Sequence, residues 1–385
     1  MTSDTSTGAT DPGPGASGQT EDMPSALFSP LTLRGTTFAH RVWMAPMCQY
    51  SAAADGPDAG APNDWHVQHY GARAAGGAAL VIVEATAVVP EGRISPFDLG
   101  IWDDAQVAAH RRVVDLLHAQ GVPAGIQLAH AGRKASTDAP WRSGGPLAAD
   151  AGGWPVVGPS AVPFADGHPT PSALTTDAIA GVVEAFAAAA RRAVAAGYDV
   201  VEVHAAHGYL LHQFCSPDSN VRDDAYGGSF ENRTRLAREV TSAVRAAVPD
   251  DLPVLVRVSA TDWVEPAGWT GDDTVRLARD LAPLGVDMVH VSTGGNLPRV
   301  RIPVEPGYQV PLAARVRAEA GVPTIAVGAI TDPAQAEQVV AGGSADAVAL
   351  ARPLLVDPFW PHRAALALGV DLPLPPQYDR ARALL

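Results

Sequence analysis

The sequence predicts an α/β protein built as a (β/α)8 TIM barrel with an elaborated loop after its third strand, and three observations carry that expectation. Eight short β-branched or apolar runs recur along the chain. Amphipathic stretches ending in glycine-containing turns separate them, and strands that alternate with helices pair in parallel because each return crossover needs a helix. No G-x-G-x-x-G opens a helix after the first run, which weakens the case for an open dinucleotide-binding sheet.

In chain order the runs are Val42–Pro46, Ala79–Ala85, Pro123–Leu128, Val200–His204, Val254–Val258, Met288–Ser292, Thr324–Val327 and Ala347–Ala351. They are continuously hydrophobic, as strands covered on both faces should be. The stretches Asp177–Gly197, Asp272–Gly285 and Asp332–Gly343 have helical periodicity and close on glycine. Between Leu128 and Thr176 lie about fifty residues rich in Gly, Pro and Trp, a connection of the length that usually serves as a lid. Residues 1–25 are polar and Gly/Pro-rich, so they read as a disordered tail, with residues 26–385 as a single domain that ends in a C-terminal tail.

Composition narrows the function. The chain has 385 residues, 47% hydrophobic and 18% charged, which supplies a sizeable core. A formal charge of -14 argues against a nucleic-acid or acidic-membrane partner. The alanine-rich stretch from Gly181 to Ala196 is broken by Glu184, Arg191 and Arg192 and reads as a soluble helix. Cys48 and Cys215 cannot make a disulfide framework, which fits free thiols in a reducing cytoplasm.

In such a barrel the chemistry sits at the C-terminal strand ends, and polar residues gather there. The first run leads to Cys48, Gln49 and Tyr50, the second to Glu84, Ala85 and Thr86, the third carries Gln127 with His130 and Arg133 following, and the fourth leads to His204, His207 and Tyr209. Arg257 stands inside the fifth run, and the last three end at Ser292–Gly295, Gly328 and Arg352. A single one of these, such as His204, reads as an ordinary hydrogen-bonded strand end; together they mark a site. Arg257 needs an anion, since an unpaired buried guanidinium is costly. For Cys48 the plain alternative is a small buried hydrophobe, and for Tyr209 a packing side chain. The alternative reading makes His204 and His207 metal ligands of a metal-dependent hydrolase, with Glu202 or Asp262 as the acidic group. Their H-x-x-H spacing places them on opposite faces of a strand, so no metal is expected unless the chain turns between them.

The segment from His204 through His207, Tyr209, Gln213, Asn220, Arg222 and Tyr226 to Asn232 and Arg233 resembles the signature of the Old Yellow Enzyme family of FMN-dependent ene-reductases. Ala45-Pro46-Met47, Gln127 to Arg133, Val327 to Ile330 and Ala351-Arg352 resemble its other motifs in order, and Cys48 with Tyr50 resembles the thermophilic-like subgroup. The resemblance implies FMN held by Ala45, Pro46, Met47, Cys48, Ala85, Gln127, Arg257, Gly328, Ala351 and Arg352, the last near the phosphate. Arg257 would stabilise the anionic reduced flavin, and the Cys48 thiol would tune its potential. NADPH or NADH would reduce the flavin, and an α,β-unsaturated carbonyl would then take hydride at Cβ. His204 and His207 would bind the carbonyl oxygen, Tyr50 would line the substrate pocket, and Tyr209 would protonate Cα. Gln377 to Arg380 resembles a tail that places its arginine in a neighbouring protomer's pocket, which implies a homodimer or homotetramer in which Arg380 contacts substrate.

Overall fold

The structure, a computed structural model, describes residues 1–2, 25–264 and 266–384. Eight parallel strands close into a barrel in chain order: β1 (Val42–Met44), β2 (Val81–Ala87), β3 (Ala124–Ala129), β4 (Val200–Ala205), β5 (Val254–Ser259), β6 (Met288–Ser292), β7 (Thr324–Ala326) and β8 (Ala347–Leu350). Outside them run α1 (Asp64–Ala75), α2 (Val107–Ala119), α3 (Thr176–Ala196), α4 (Arg235–Ala247), α5 (Gly271–Leu281), α6 (Val310–Ala320), α7 (Pro333–Ala341) and α8 (Trp360–Ala367). The expected runs all fall on barrel strands, with ends that move by up to two residues. β1 stops at Met44, ahead of Pro46, which has no N–H for a ladder. The predicted helix Asp272–Gly285 divides into α5 and a 3-10 turn over Ala282–Leu284, whose second residue is Pro283. α3 shows why the helical limits were readable: the Thr175 side chain accepts from Ala178 N–H at its start, and Gly197 at φ 96° ends it.

The expected tail over residues 1–25 lies outside the described residues except for 1, 2 and 25. Ser25 is fixed, its hydroxyl donating to Glu337 at 2.6 Å. No helix among the described residues is long and apolar enough to cross a membrane.

Strand side chains alternate, and the barrel uses that alternation to make two cores. Val201, Val203, Val254, Val256, Val289 and Val291 pack outward against the helices. Trp43, Leu80, Ile82, Val200, Leu255, Met288, Ile325 and Ala347 fill the interior as a separate cluster. Its floor is an antiparallel hairpin, Leu31–Leu33 with Thr36–Phe38, that the strand pattern did not announce. The hairpin turns at Arg34 (φ 46°) and Gly35, and Arg34 Nε donates to Asp287 at 2.6 Å.

Above this apolar layer the interior positions turn polar: Gln127 on β3, Glu202 and His204 on β4, Arg257 and Ser259 on β5, His290 and Ser292 on β6. Register places Gln127 beside Glu202, His204 beside Arg257, and Arg257 beside His290. A bulge in β2 between Val83 and Ala85 completes the ring. It leaves Glu84 on the helix side, where it accepts from Tyr70 of α1 at 2.6 Å, and brings Ala85 into register with Gln127.

Phe38 is fully buried, with its ring 4.6 Å from that of Trp43. Phe38→Ala should therefore lower the free energy of unfolding by about 3–5 kcal/mol, the range for truncating a buried aromatic side chain. Urea unfolding checks this; a change below about 1 kcal/mol would show that the floor is not part of the cooperative core.

Candidate active site

The mouth is built on the turn after β4. His207 (φ 57°) and Gly208 (φ 71°) are left-handed, and this reversal overcomes the spacing that would have kept the two histidines on opposite faces. The His204 and His207 rings lie 5.1 Å apart at 89°, and Tyr209 stands 5.0 Å from His204. Gly208 is required here, since a Cβ would come within 2.2 Å of the Gly295 carbonyl oxygen.

Neighbouring strands pin the turn. His207 N–H donates to Ser259 Oγ and Ser259 Oγ donates to Gly294 O, both at 2.8 Å. Gly208 N–H donates to His212 Nδ1 at 2.9 Å. Lys134 Nζ donates to the carbonyls of His207 and Gly295, each at 2.8 Å.

The ring nitrogens follow from this wiring. His204 Nδ1 accepts from Ala206 N–H at 3.2 Å, so the proton of a neutral ring sits on Nε2. His207 Nε2 lies 2.8 Å from Ser292 Oγ. Burial, reinforced by the charge of Arg257, pulls both histidines well below the ordinary range, so they are neutral. Burial pushes the Tyr209 phenol well above its usual value, and neighbouring Cys48 and Asp98 add to the rise. It holds its proton.

Under the turn lies the charged interior. Glu202 accepts from Gln127 Nε2 at 2.6 Å, and its other oxygen lies 2.8 Å from His290 Nδ1. Burial works to raise the Glu202 carboxyl, but His290, Arg257 and Gln127 together hold it below the carboxylate range. Arg257 is 6% exposed and its Nε has no hydrogen-bond partner. Its guanidinium lies close enough to Glu202 to feel the carboxylate charge. Ala45 and Val327 belong to the interior cluster, and Ala351 packs against it, so small side chains line the mouth where β1, β7 and β8 end. Gly328 has φ 115°, and a Cβ there would meet Gln309 Nε2 at 2.4 Å. Next to it Arg352 is exposed, with no ion pair among the described residues. A planar ring over small side chains, an orphaned buried guanidinium and a free guanidinium beside a glycine loop fit FMN and its phosphate.

Cys48 is half-buried. Burial, with Asp98 and Glu84, pushes its thiol up, against the opposing effect of the Ala85 backbone and the Tyr50 side chain. The thiol stays protonated and is no nucleophile. Tyr50, left-handed at φ 47°, meets the edge of Trp141 from the lid at 5.8 Å.

The acidic residues of the alternative metal reading are engaged elsewhere. Glu202 and Asp262 do not join the two histidines at a metal: Glu202 is engaged below, and Asp262 accepts from Ser216 at 2.6 Å and lies 3.2 Å from His212. No group of three or more metal-ligating side chains occurs among the described residues. Arg133 donates to Val162 O and Asn296 O and ties the lid to the loop after β6. His130 is buried, its Nδ1 accepting from Gly132 N–H at 3.0 Å. Arg380 is exposed, and its neighbours Gln377 and Tyr378 line a cleft of about 1130 Å³ with Ala78, Val122 and residues of α1 and α2. That is the N-terminal end of the barrel, away from the chain's own mouth.

Sequence reasoning missed Lys134, Ser259 and His290. Lys134 had the clearest signal, one position beyond the Gln127–Arg133 motif.

Comparison with known proteins agrees with this geometry. Residues 26–369 match the NADH:flavin oxidoreductase / NADH oxidase family. The NADPH dehydrogenase of Geobacillus thermodenitrificans is 48% identical over 358 residues, covering 93% of this chain and 99% of the relative. That of Halalkalibacterium halodurans is 45% identical, with 93% and 99% covered. Among solved structures, morphinone reductase superposes with a TM-score of 0.73 at 32% identity, covering 93% of this chain and 94% of that one. The old yellow enzyme homologue from Zymomonas mobilis gives 0.75 at 29%, covering 91% and 94%. The chain therefore belongs to the NADH:flavin oxidoreductase / NADH oxidase family, as a flavin-dependent oxidoreductase of the Old Yellow Enzyme type that uses FMN and a nicotinamide nucleotide.

Proposed function

We propose that the enzyme is an ene-reductase that saturates the carbon–carbon double bond of α,β-unsaturated carbonyls at the expense of NAD(P)H. The observation that carries this reading is the convergence of two neutral imidazoles and a protonated phenol over the buried Arg257. Bound FMN would supply the hydride chemistry that links NAD(P)H to Cβ of the substrate. His204, through Nε2–H, and His207 hydrogen-bond the carbonyl oxygen, and these donors strengthen as negative charge develops there. They stay neutral beside Arg257, so the site supplies hydrogen bonds without giving up a proton. Ser292 and the Ser259–Gly294 pair hold the His207 ring and backbone while this happens. Tyr209 places its proton on Cα, which balances the hydride at Cβ. Ala45, Pro46, Met47, Cys48, Ala85 and Gln127 form one side of the FMN site, with Gly328, Ala351 and Arg352 at the phosphate. Tyr50 and Trp141 close the substrate space from the lid side.

Arg380 completes the pocket of a second copy in this reading. Its own chain carries it to the far end of the barrel, so only a homo-oligomer brings it to a mouth. The supporting feature is the segment Pro376–Leu384, held to its own chain by the Tyr378–Phe359 contact at 5.9 Å and the Arg382–Asp371 ion pair while Arg380 stays unpaired among the described residues.

Rapid mixing tests the assignment of Tyr209. Tyr209→Phe should reduce normally with NADPH but reoxidise with cyclohexenone at least tenfold more slowly, because only the second half-reaction delivers a proton to carbon. Equal slowing of both halves would remove the phenol from its role.

The tail is tested by mixing. Arg380→Ala should raise the enone KM with unchanged flavin content, and addition of inactive His204→Ala protein should lower it again as hybrid oligomers pair an intact histidine site with an intact tail. A fully active monomer would contradict the shared pocket.

A further inference from the structure

We propose that the space between Tyr50, Lys134 and the lid is a carboxylate subsite, so that the preferred substrates are α,β-unsaturated carbonyls carrying an anionic group; this rests on the ene-reductase reading above. Lys134 ends the 3-10 turn Gly132–Lys134 after β3 and faces a cavity of about 300 Å³ lined also by Tyr50, Ile94, Phe164 and His168. An ammonium has three N–H donors. Two go to the carbonyls of His207 and Gly295, and no carboxylate pairs with the group among the described residues. Its charge is otherwise met only by ring faces, Phe164 at 4.7 Å and Tyr209 at 5.0 Å. The neighbouring cation Arg133 adds to the imbalance. Asp138, the one acid lining the cavity, accepts from Ser143 and the Ala139 N–H and makes no ion pair with Lys134. His168 presents a buried Nδ1 without a partner. A half-buried cation with a spare donor, aromatic walls and no counter-ion is the arrangement that an anionic substituent would complete, and it lies next to Tyr209.

The plain alternative is that Lys134 only staples the turn after β4. The two are separated with trans-4-oxo-2-pentenoate and its amide, which share a skeleton and differ in charge. For the wild-type holoenzyme the KM of the carboxylate should be about tenfold below that of the amide, a difference of about 1.4 kcal/mol. Lys134→Gln should bring the ratio close to one, and Lys134→Arg should keep most of it. Burial and Arg133 pull the Lys134 ammonium down to about 8, so the preference should be full below that pH and fade as pH rises through it. Equal KM values in the wild type, or a ratio unchanged by Lys134→Gln, would overturn the subsite. Failure of the wild type to reduce either compound after normal reduction by NADPH would instead overturn the ene-reductase reading. In that case, titration of the oxidised flavin spectrum with 4-hydroxybenzoate and 4-hydroxybenzamide decides the subsite, a preference for the acid that Lys134→Gln removes supporting it and equal affinity overturning it.

Discussion

A charged guanidinium buried inside a parallel barrel is the constraint from which the mouth is built. Arg257 occupies an interior strand position that an apolar side chain fills two residues earlier, and an unpaired charge there would cost several kcal/mol. Glu202 offsets that cost, and it is itself held ionised by His290 and Gln127. One carboxylate thereby fixes side chains from β3, β5 and β6. The compensation is incomplete, since Arg257 keeps an unpartnered Nε. Burial keeps His204 and His207 neutral, and the charge of Arg257 reinforces it. In the proposed function the same charge would favour an anionic reduced ring, so that cofactor electrostatics and substrate hydrogen bonding would share a source.

The second requirement is a backbone one. Two histidines three positions apart reach one pocket only because His207 and Gly208 are left-handed, a conformation that costs energy for a residue with a side chain. The turn persists because it is bonded from several directions: Ser259 from β5, Ser292 from β6, Lys134 from the start of the lid, and His212 from the helix that follows. Lid and turn are thus joined at Lys134, and a rearrangement of the long third loop would be felt at His207. Arg133 anchors the same loop from the other side.

The fold was legible because its signals are local and repeated: buried runs, caps such as Thr175, and glycine stops such as Gly197. Arg257 was legible for the opposite reason, since a charge inside an apolar strand contradicts its surroundings. The β2 bulge was not readable, because it inserts one residue without a compositional mark, and it alone decides that Ala85 faces the mouth while Glu84 faces α1. The floor hairpin was passed over as too short to stand out. His290 looked like any single histidine in a strand, and its meaning exists only across the barrel, opposite Glu202.

In the proposed function, Arg257 would supply the positive charge that stabilises reduced FMN. The most direct measurement is the midpoint potential of bound FMN in the wild type, Arg257→Met and Arg257→Lys, read by spectroelectrochemical titration. Removal of the charge should lower the potential, because the reduced ring loses its stabilising partner, and lysine should restore part of the difference. A folded, FMN-bound Arg257→Met protein with the wild-type potential would contradict the account.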